Sequence, residues 1–263
     1  MGNYSLQDIK SGYQQKKIWE RQFPLNYFLV RPISFYITYF VIRITPNPAR
    51  IAAFGFVLGV LGCFSLTLIT IWTIWPGLFL ILLYSFLDAV DGNVARTTQN
   101  VTLFGKYLDG FLGDLIDGAY PFCLGIGLYL SGHTLQHNHL LNLPSVHTTV
   151  LPLFLGALIL ICKLWAKLFQ AGYEAYRVQK QGQNPIGESK LKQPTGKSRH
   201  SDRWYYLIFI NIDSLNTQLL SLIILVLFEA EILFLMFMSL YFCSKAIFYL
   251  LYYFIKTKKL LQN

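Results

Sequence analysis

Five of the thirteen acidic residues in this 263-residue chain fall within thirty positions, and they are the residues whose types and spacing suggest chemistry. They are Asp88, Asp91, Asp109, Asp114 and Asp117. Asp88 and Asp91 are three positions apart, so they share one face of a helix. Gly92 follows them and allows another group to approach the backbone closely. Crowded carboxylates repel one another and take up protons unless a cation neutralises them, so this cluster predicts a bound cation.

Carboxylate oxygens are the ligands of hard divalent cations, which points to Mg²⁺, Mn²⁺ or Ca²⁺. A divalent cation held by carboxylates binds a diphosphate and stabilises the leaving group. Arg96, five residues after Asp91, would add donors to a phosphate. The residues therefore predict a metal-dependent enzyme that acts on a phosphate ester. In the structural alternative, the acids are interfacial and pair with Arg96, Lys106 and Lys163, which leaves the ordered glycine and arginine unexplained.

The elements that position these acids must be membrane helices. Charged residues make up 13% of the chain, about half the share of an average soluble domain, and 54% of the residues are hydrophobic. Residues 51–72 contain no acid or base, and about 20 apolar residues cross a bilayer. Helices satisfy their own backbone groups in lipid. We predict an all-α fold with six transmembrane helices at about 50–73, 76–95, 101–130, 148–171, 212–229 and 231–255.

The N-terminal part and the ends of the chain complete this organisation. Residues 25–44 are aromatic but contain Arg31, Pro32 and Arg43, which favours an amphipathic helix in the membrane interface. The predicted parts are therefore an N-terminal region 1–49, a six-helix domain 50–257 with a long loop at 177–203, and a basic tail 258–263. That loop is either a solvated connector or a segment that contacts anionic lipid or covers a cytoplasmic site.

The basic residues predict the orientation. The loops at 73–75, 131–147 and 229–231 contain no Lys or Arg, whereas the N-terminus, Arg96, Lys106, the loop 177–203 and the C-terminal tail are basic. The positive-inside rule places both termini and the acidic cluster in the cytoplasm. The net charge of +9 then reflects loops that face anionic membrane lipids rather than a nucleic-acid partner.

The spacing of the cluster resembles a known signature. Asp88-x-x-Asp91-Gly92-x-x-Ala95-Arg96, then eight residues, then Gly105-x-x-x-Asp109, is similar to the motif of the CDP-alcohol phosphotransferases. Thr45-Pro46-Asn47 also resembles a short element that precedes the first helix in this family. Together with the six predicted helices, the resemblance extends over most of the chain from about residue 31.

The resemblance implies a reaction and a cofactor. A CDP-linked alcohol, often CDP-diacylglycerol, binds through its diphosphate to two divalent cations, Mg²⁺ or Mn²⁺. An acceptor hydroxyl attacks the phosphorus and CMP leaves, as in phospholipid biosynthesis. Asp88, Asp91 and Asp109 would be metal ligands. The donor would lie against Gly92, Ala95, Arg96, Gly105 and Asp109, and the resemblance allows a homodimer.

One position departs from the family pattern. The fourth aspartate, a metal ligand and the base for the acceptor hydroxyl in the family, is expected four residues after Asp109, where this chain has Gly113. On an ideal helix Asp114 lies about 140° and Asp117 about 80° around from Asp109. A π-bulge between Asp109 and Asp114 would bring Asp114 to the expected place. We expect Asp114 to be the substitute ligand and base, with Asp117 as the second candidate.

Other polar residues are candidates of lower interest. Lys163 and Lys167 would either hold an anionic acceptor, such as a sugar or glycerol phosphate, or extend to the membrane interface. His133, His137, His139 and His147 lie on the predicted outer side, away from the acids. The four cysteines show no CxxC spacing and are predicted to be small core residues.

Two other functions remain as alternatives. A membrane prenyltransferase of the UbiA type also uses aspartates on a prenyl diphosphate, but it would need them on two separate helical hairpins. A cation-coupled transporter would favour polar or broken segments near the midplane in related halves. Asp213, Glu229 and Glu231 are the only acids in the last two predicted spans, near their ends.

Overall fold

The computed structural model describes residues 4–68, 71–131, 150–181 and 204–262. Within these ranges the chain is helical and contains no strand, as predicted. The helices are α1 (Leu6–Glu20), a π-helical turn (Asn26–Val30), α2 (Arg31–Ile44), α3 (Pro48–Thr67), α4 (Ile71–Thr97), α5 (Leu103–Leu130), α6 (Leu151–Gln181), α7 (Trp204–Ile212), α8 (Leu215–Leu227) and α9 (Glu231–Gln262).

Six helical segments of the described chain are long and apolar enough to cross a membrane, which confirms the predicted number and the membrane class. They are Asn26–Ile44, Pro48–Thr67, Thr73–Thr97, Leu103–Leu130, Leu151–Arg177 and Glu231–Lys258. Five of them match predicted spans. The predicted span at 212–229 instead forms α8, whose 13 residues measure about 20 Å, because the chain breaks at Asp213 and Ser214 after α7. The segment Asn26–Ile44, predicted to lie in the interface, is long enough to be the sixth.

The outer faces of these helices carry large apolar side chains. Phe54 and Phe64 on α3, Phe154 on α6 and Leu240 on α9 are each at least 60% exposed. A soluble monomer rarely exposes so many apolar residues together, so these faces are suited to lipid. Between the helices lies the largest apolar cluster of the described residues, which includes Leu66, Ile81, Tyr120, Leu124, Leu222 and Phe234.

Glycines allow the helices around the acidic cluster to pack closely. α3 packs along α4 and α5, α5 packs on α6, and α6 packs on α9. A Cβ at Gly59 on α3 would meet Ile116 at 3.0 Å and the ring of Tyr84 at 3.2 Å. A Cβ at Gly125 on α5 would come within 2.4 Å of the carbonyl oxygen of Pro152 on α6. These contacts fix α4, α5 and α6 relative to one another.

α1 is a helix that the sequence interpretation did not include. It begins with a reciprocal capping box: the Ser5 backbone N–H and hydroxyl donate to the Asp8 carboxylate at 2.7 Å, and the Asp8 N–H donates to Ser5 Oγ at 3.2 Å. These bonds lower the pKa of Asp8. The Ser5-x-x-Asp8 spacing was the signal that could have predicted this helix. α1 packs on α4, where the acidic motif lies.

Candidate active site

Three of the five aspartates meet at one small cavity. Asp88 and Asp91 come from the last turns of α4 and Asp109 from the second turn of α5, and all three line this cavity together with Tyr84. Asp91 is buried, with 7% of its surface exposed, whereas Asp88 and Asp109 are exposed. Both lie near enough to repel the Asp91 carboxylate. The predicted shared face of Asp88 and Asp91 is therefore present.

The donor chemistry of this cavity fits a divalent cation, although the side chains are not arranged as a finished metal site. Three carboxylates, one of them buried, form a negative cluster that a hard cation would neutralise. Across the described ranges, however, no group of three or more His, Cys, Asp or Glu side chains could hold a metal ion as it stands. The exposed carboxylates of Asp88 and Asp109 would have to turn toward Asp91 to share a cation.

Arg96 lies beside this cavity and is held by Asn93, one turn before it. Arg96 Nη2 donates to Asn93 Oδ1 at 2.9 Å. The guanidinium lies over Gly92, where an added Cβ would meet its two terminal nitrogens at 3.3 Å. Gly92 thus makes room for Arg96 itself, and the buried Nε of Arg96 has no hydrogen-bond partner. Gly105 has a local role as well, since its N–H donates to Thr102 Oγ1 at 2.9 Å and caps α5.

Asn93 also connects Arg96 to a buried polar network that sequence reasoning missed. Arg31 Nη1 donates to Asn93 Oδ1 at 3.2 Å, and Asn93 Nδ2 donates to Ser34 and Thr38 on α2. Arg31 forms a bidentate pair with Glu20, the last residue of α1. The sequence placed Arg31 in a helix of the membrane interface, because no local pattern predicts its pairing with Glu20.

The hydroxyl of Tyr13 completes this network by donating to Glu20 Oε2 at 2.7 Å. Burial and the neighbouring Glu20 carboxylate raise the pKa of Tyr13. Tyr13 therefore stays protonated and keeps donating at all physiological pH values. α1 and α2 are thus fastened to the segment of α4 that carries Arg96.

A second, larger pocket of about 370 Å³ opens beside the small cavity. Asp88 and Tyr84 line both, so the two cavities are adjacent. Asp114 and Asp117 line the large pocket only, whereas Asp91 and Asp109 line the small one only. The structure therefore divides the five aspartates into two overlapping groups instead of gathering them at one point.

The predicted π-bulge between Asp109 and Asp114 is wrong. α5 is a regular α-helix from Leu103 to Leu130, so Asp114 keeps its place about 140° around the helix from Asp109. Gly113, which occupies the expected position of the fourth aspartate, lines the large pocket. A Cβ there would meet Tyr84 Oη at 3.7 Å. Tyr84 is thus a further site residue that sequence reasoning missed, since its type alone carries no signal on an apolar helix.

Each lysine of the large pocket is paired with an aspartate. Lys167 Nζ lies 2.7 Å from Asp114 Oδ1, and both side chains are about half exposed. Lys163 Nζ lies 2.8 Å from Asp117 Oδ1 and is buried. Lys245 on α9 lies 2.5 Å from Asp213 Oδ1, a third pair that sequence reasoning missed because its members are 32 positions apart. All three pairs line the pocket.

The remaining predictions fall outside this site. The cysteines are free: Cys63 is buried in the core, Cys123 and Cys162 pack against it, and the half-buried Cys243 lies 3.4 Å from Cys162. The four histidines at 133, 137, 139 and 147 and most of the loop 177–203 lie outside the described residues.

Comparison with known proteins agrees with this geometry. The sequence profile of the CDP-alcohol phosphatidyltransferase family matches residues 45–194, more than half of the chain and including all five aspartates. No individual curated protein matches the chain significantly. The family consists of transferases that move a phospho-alcohol group from a CDP-alcohol, which favours neither the prenyltransferase nor the transporter alternative. The chain belongs to the CDP-alcohol phosphatidyltransferase family.

Proposed function

We propose that this protein transfers a phosphatidyl or similar phospho-alcohol group from a CDP-linked alcohol to an acceptor hydroxyl, with release of CMP, in phospholipid biosynthesis. The observation that carries the proposal is the meeting of Asp88, Asp91 and Asp109 at one cavity beside Arg96. That cavity adjoins a polar pocket large enough for a second substrate. A donor diphosphate and an acceptor alcohol would thus have neighbouring places.

Asp88, Asp91 and Asp109 would hold Mg²⁺ or Mn²⁺, with two cations if Asp114 also contributes. When bound, the cations would neutralise the diphosphate oxygens and stabilise the CMP leaving group. The Asp91 carboxylate would be the least mobile ligand of the cluster, because its side chain is buried between the helices. Asp88 lines both cavities and would therefore lie nearest to both substrates.

Arg96 would bind the phosphate oxygens of the donor. Its guanidinium is oriented by Asn93, and its buried Nε still has a hydrogen to donate. A planar guanidinium binds phosphate through two parallel hydrogen bonds, so a fixed orientation favours one phosphate position.

Asp114 is the better candidate for the base that accepts the proton of the acceptor hydroxyl. Its partner Lys167 is 60% exposed, and a half-exposed ion pair contributes little, so Asp114 can exchange Lys167 for a hydroxyl at small cost. Asp117 is tied to the buried Lys163, and breaking that contact would leave a buried charge unpaired. The acceptor oxygen then forms the new bond to phosphorus while the bond between phosphorus and the CMP oxygen breaks.

The substitution Asp91→Asn tests the proposed function. Purified variant protein should release no CMP from any CDP-alcohol in Mg²⁺ or Mn²⁺, because the buried member of the ligand set is lost. Asp8→Asn, which changes an exposed carboxylate of α1, is the matched control and should retain wild-type turnover. CMP release by Asp91→Asn at the wild-type rate would refute the proposal.

A comparison of two further variants tests the base. Asp114→Asn should lower kcat by about 10²- to 10⁴-fold with little change in melting temperature. Asp117→Asn should instead lower the stability by about 3–5 kcal/mol, because Lys163 loses its carboxylate. If Asp114→Asn turns over normally, Asp114 is not the base.

A further inference from the structure

We propose that the acceptor is a small, water-soluble polyhydroxy compound that carries no phosphate group, bound in the large pocket. This rests on the proposed function and adds the chemical class of the second substrate. It also replaces the expectation that Lys163 and Lys167 hold an anionic acceptor.

The charges of the pocket are already balanced by the chain. The three lysines that line it lie 2.5–2.8 Å from the aspartates Asp117, Asp114 and Asp213, which also line it. A phosphate dianion would find each lysine already paired with an aspartate and would lie close to those carboxylates, so the pocket disfavours it.

Lys163 in particular is buried and already bound by groups of the protein. Its ammonium donates to the Asp117 carbonyl oxygen at 2.7 Å and to Gln218 Oε1 at 3.2 Å, besides its contact with the Asp117 carboxylate. It also lies 4.5 Å from the centre of the Phe242 ring. Two of its three hydrogens are used by these oxygens, and the buried ammonium stays beside the Asp117 carboxylate. Lys163 therefore joins α5, α6 and α8 and is not an anion receptor.

The other polar groups of the pocket are neutral and suit hydroxyls. Ser85 Oγ donates to Asn216 Oδ1 at 2.5 Å, and Asn216 Nδ2 donates to Asn26 Oδ1 at 2.7 Å. Amides and hydroxyls both donate and accept, as alcohols do, so a polyol can bind them without a change in net charge. The carboxylates of the ion pairs can accept further hydrogen bonds from the same polyol.

The size and lining of the pocket exclude a lipid acceptor. A volume of about 370 Å³ holds a small molecule and not two acyl chains. Carboxylates, lysines and amides also make up half of the lining residues, and burying acyl chains against them would leave those groups without water. The acceptor therefore enters from the aqueous side.

A panel of matched acceptors tests the proposal. With CDP-diacylglycerol as donor, CMP release would be measured with myo-inositol against inositol 1-phosphate, with glycerol against glycerol 3-phosphate, and with diacylglycerol. We expect kcat/KM to be higher for the unphosphorylated member of a pair by about tenfold or more. Preference for a phosphorylated acceptor or for diacylglycerol overturns this inference but leaves the transferase intact, whereas no CMP release with any acceptor, from either CDP-diacylglycerol or CDP-linked head groups, refutes both.

A single variant adds a test of the charge argument. Asp213→Asn removes the partner of Lys245 and leaves the pocket with one more positive charge. It should shift the ratio of kcat/KM values toward the phosphorylated acceptor by about tenfold. The double variant Asp213→Asn/Lys245→Met restores the balance and should return the ratio toward that of the wild type. Because the readout is a ratio, a fall in folded protein does not imitate it, and an unchanged ratio contradicts the proposal.

Discussion

The position of Gly113 shows how one residue changes the site. Gly113 lies only about 40° around α5 from Asp109, so a carboxylate there would lie on the same face. In this chain the space contains the hydroxyl of Tyr84, 3.7 Å from where a Cβ would be. This distance is an ordinary contact, so a side chain at position 113 fits without moving the helices.

Gly113→Asp should therefore rescue part of the activity of Asp114→Asn. The new carboxylate would face the large pocket, where it can accept the proton of the acceptor hydroxyl. Single-turnover CMP release would measure the rescue. Gly110→Asp is the matched control, because Gly110 lines neither cavity and should give no rescue. Equal rates in the two double variants would show that the face of α5 does not matter.

At the scale of elements, the close packing of α5 on α6 holds the ion pairs of the pocket together. Gly125→Ala would place a methyl group about 2.4 Å from the Pro152 carbonyl oxygen, and this atom belongs to the backbone and cannot turn away. We expect a loss of about 1–3 kcal/mol in stability, measured as a lower melting temperature in detergent. Gly172→Ala on α6 has open space around it and is the control. Equal melting temperatures would contradict the close approach of the two helices.

The attachment of α1 can be tested through Glu20. Glu20→Gln removes the charge that the buried guanidinium of Arg31 faces, so α1 should detach from α4 and Asn93 should lose part of its support. We expect faster proteolysis of the N-terminal residues and a lower kcat. The control Lys10→Gln changes an exposed residue of α1 and should alter neither. Unchanged proteolysis would show that the Glu20–Arg31 pair does not hold the helix.

The sequence predicted features that depend on the spacing of residues within one helix. It did not predict ion pairs between residues that are far apart in the chain. The i, i+3 spacing of Asp88 and Asp91 correctly placed the two side chains on a shared face, at one cavity. The pairs Lys245–Asp213 and Arg31–Glu20 join separate helices, and no local rule reports them. The predicted π-bulge is wrong because the prediction assumed the family's spacing of aspartates, whereas α5 is a regular α-helix at this point.

At the scale of the whole molecule, the site lies at one end of the helical bundle, where several helices carry basic residues. The acidic motif occupies the end of α4 and the start of α5, and the pocket reaches Lys167 of α6 and Lys245 of α9. From the positive-inside rule we predict that this end faces the cytoplasm, together with both termini. Fusions after residues 140 and 262 test this: a fluorescent reporter should fold only at 262 and a periplasmic phosphatase only at 140. The reverse pattern would invert the orientation.

The walls of the two cavities come from different parts of the chain. Every aspartate of the small cavity lies within residues 45–194, the segment common to the family. One side of the large pocket is formed by Asn26, Asp213, Asn216 and Lys245, all outside that segment. With the acceptor in the large pocket, as we propose, a change confined to this side would alter the accepted alcohol and leave the aspartates proposed to hold the CDP-linked donor as they are.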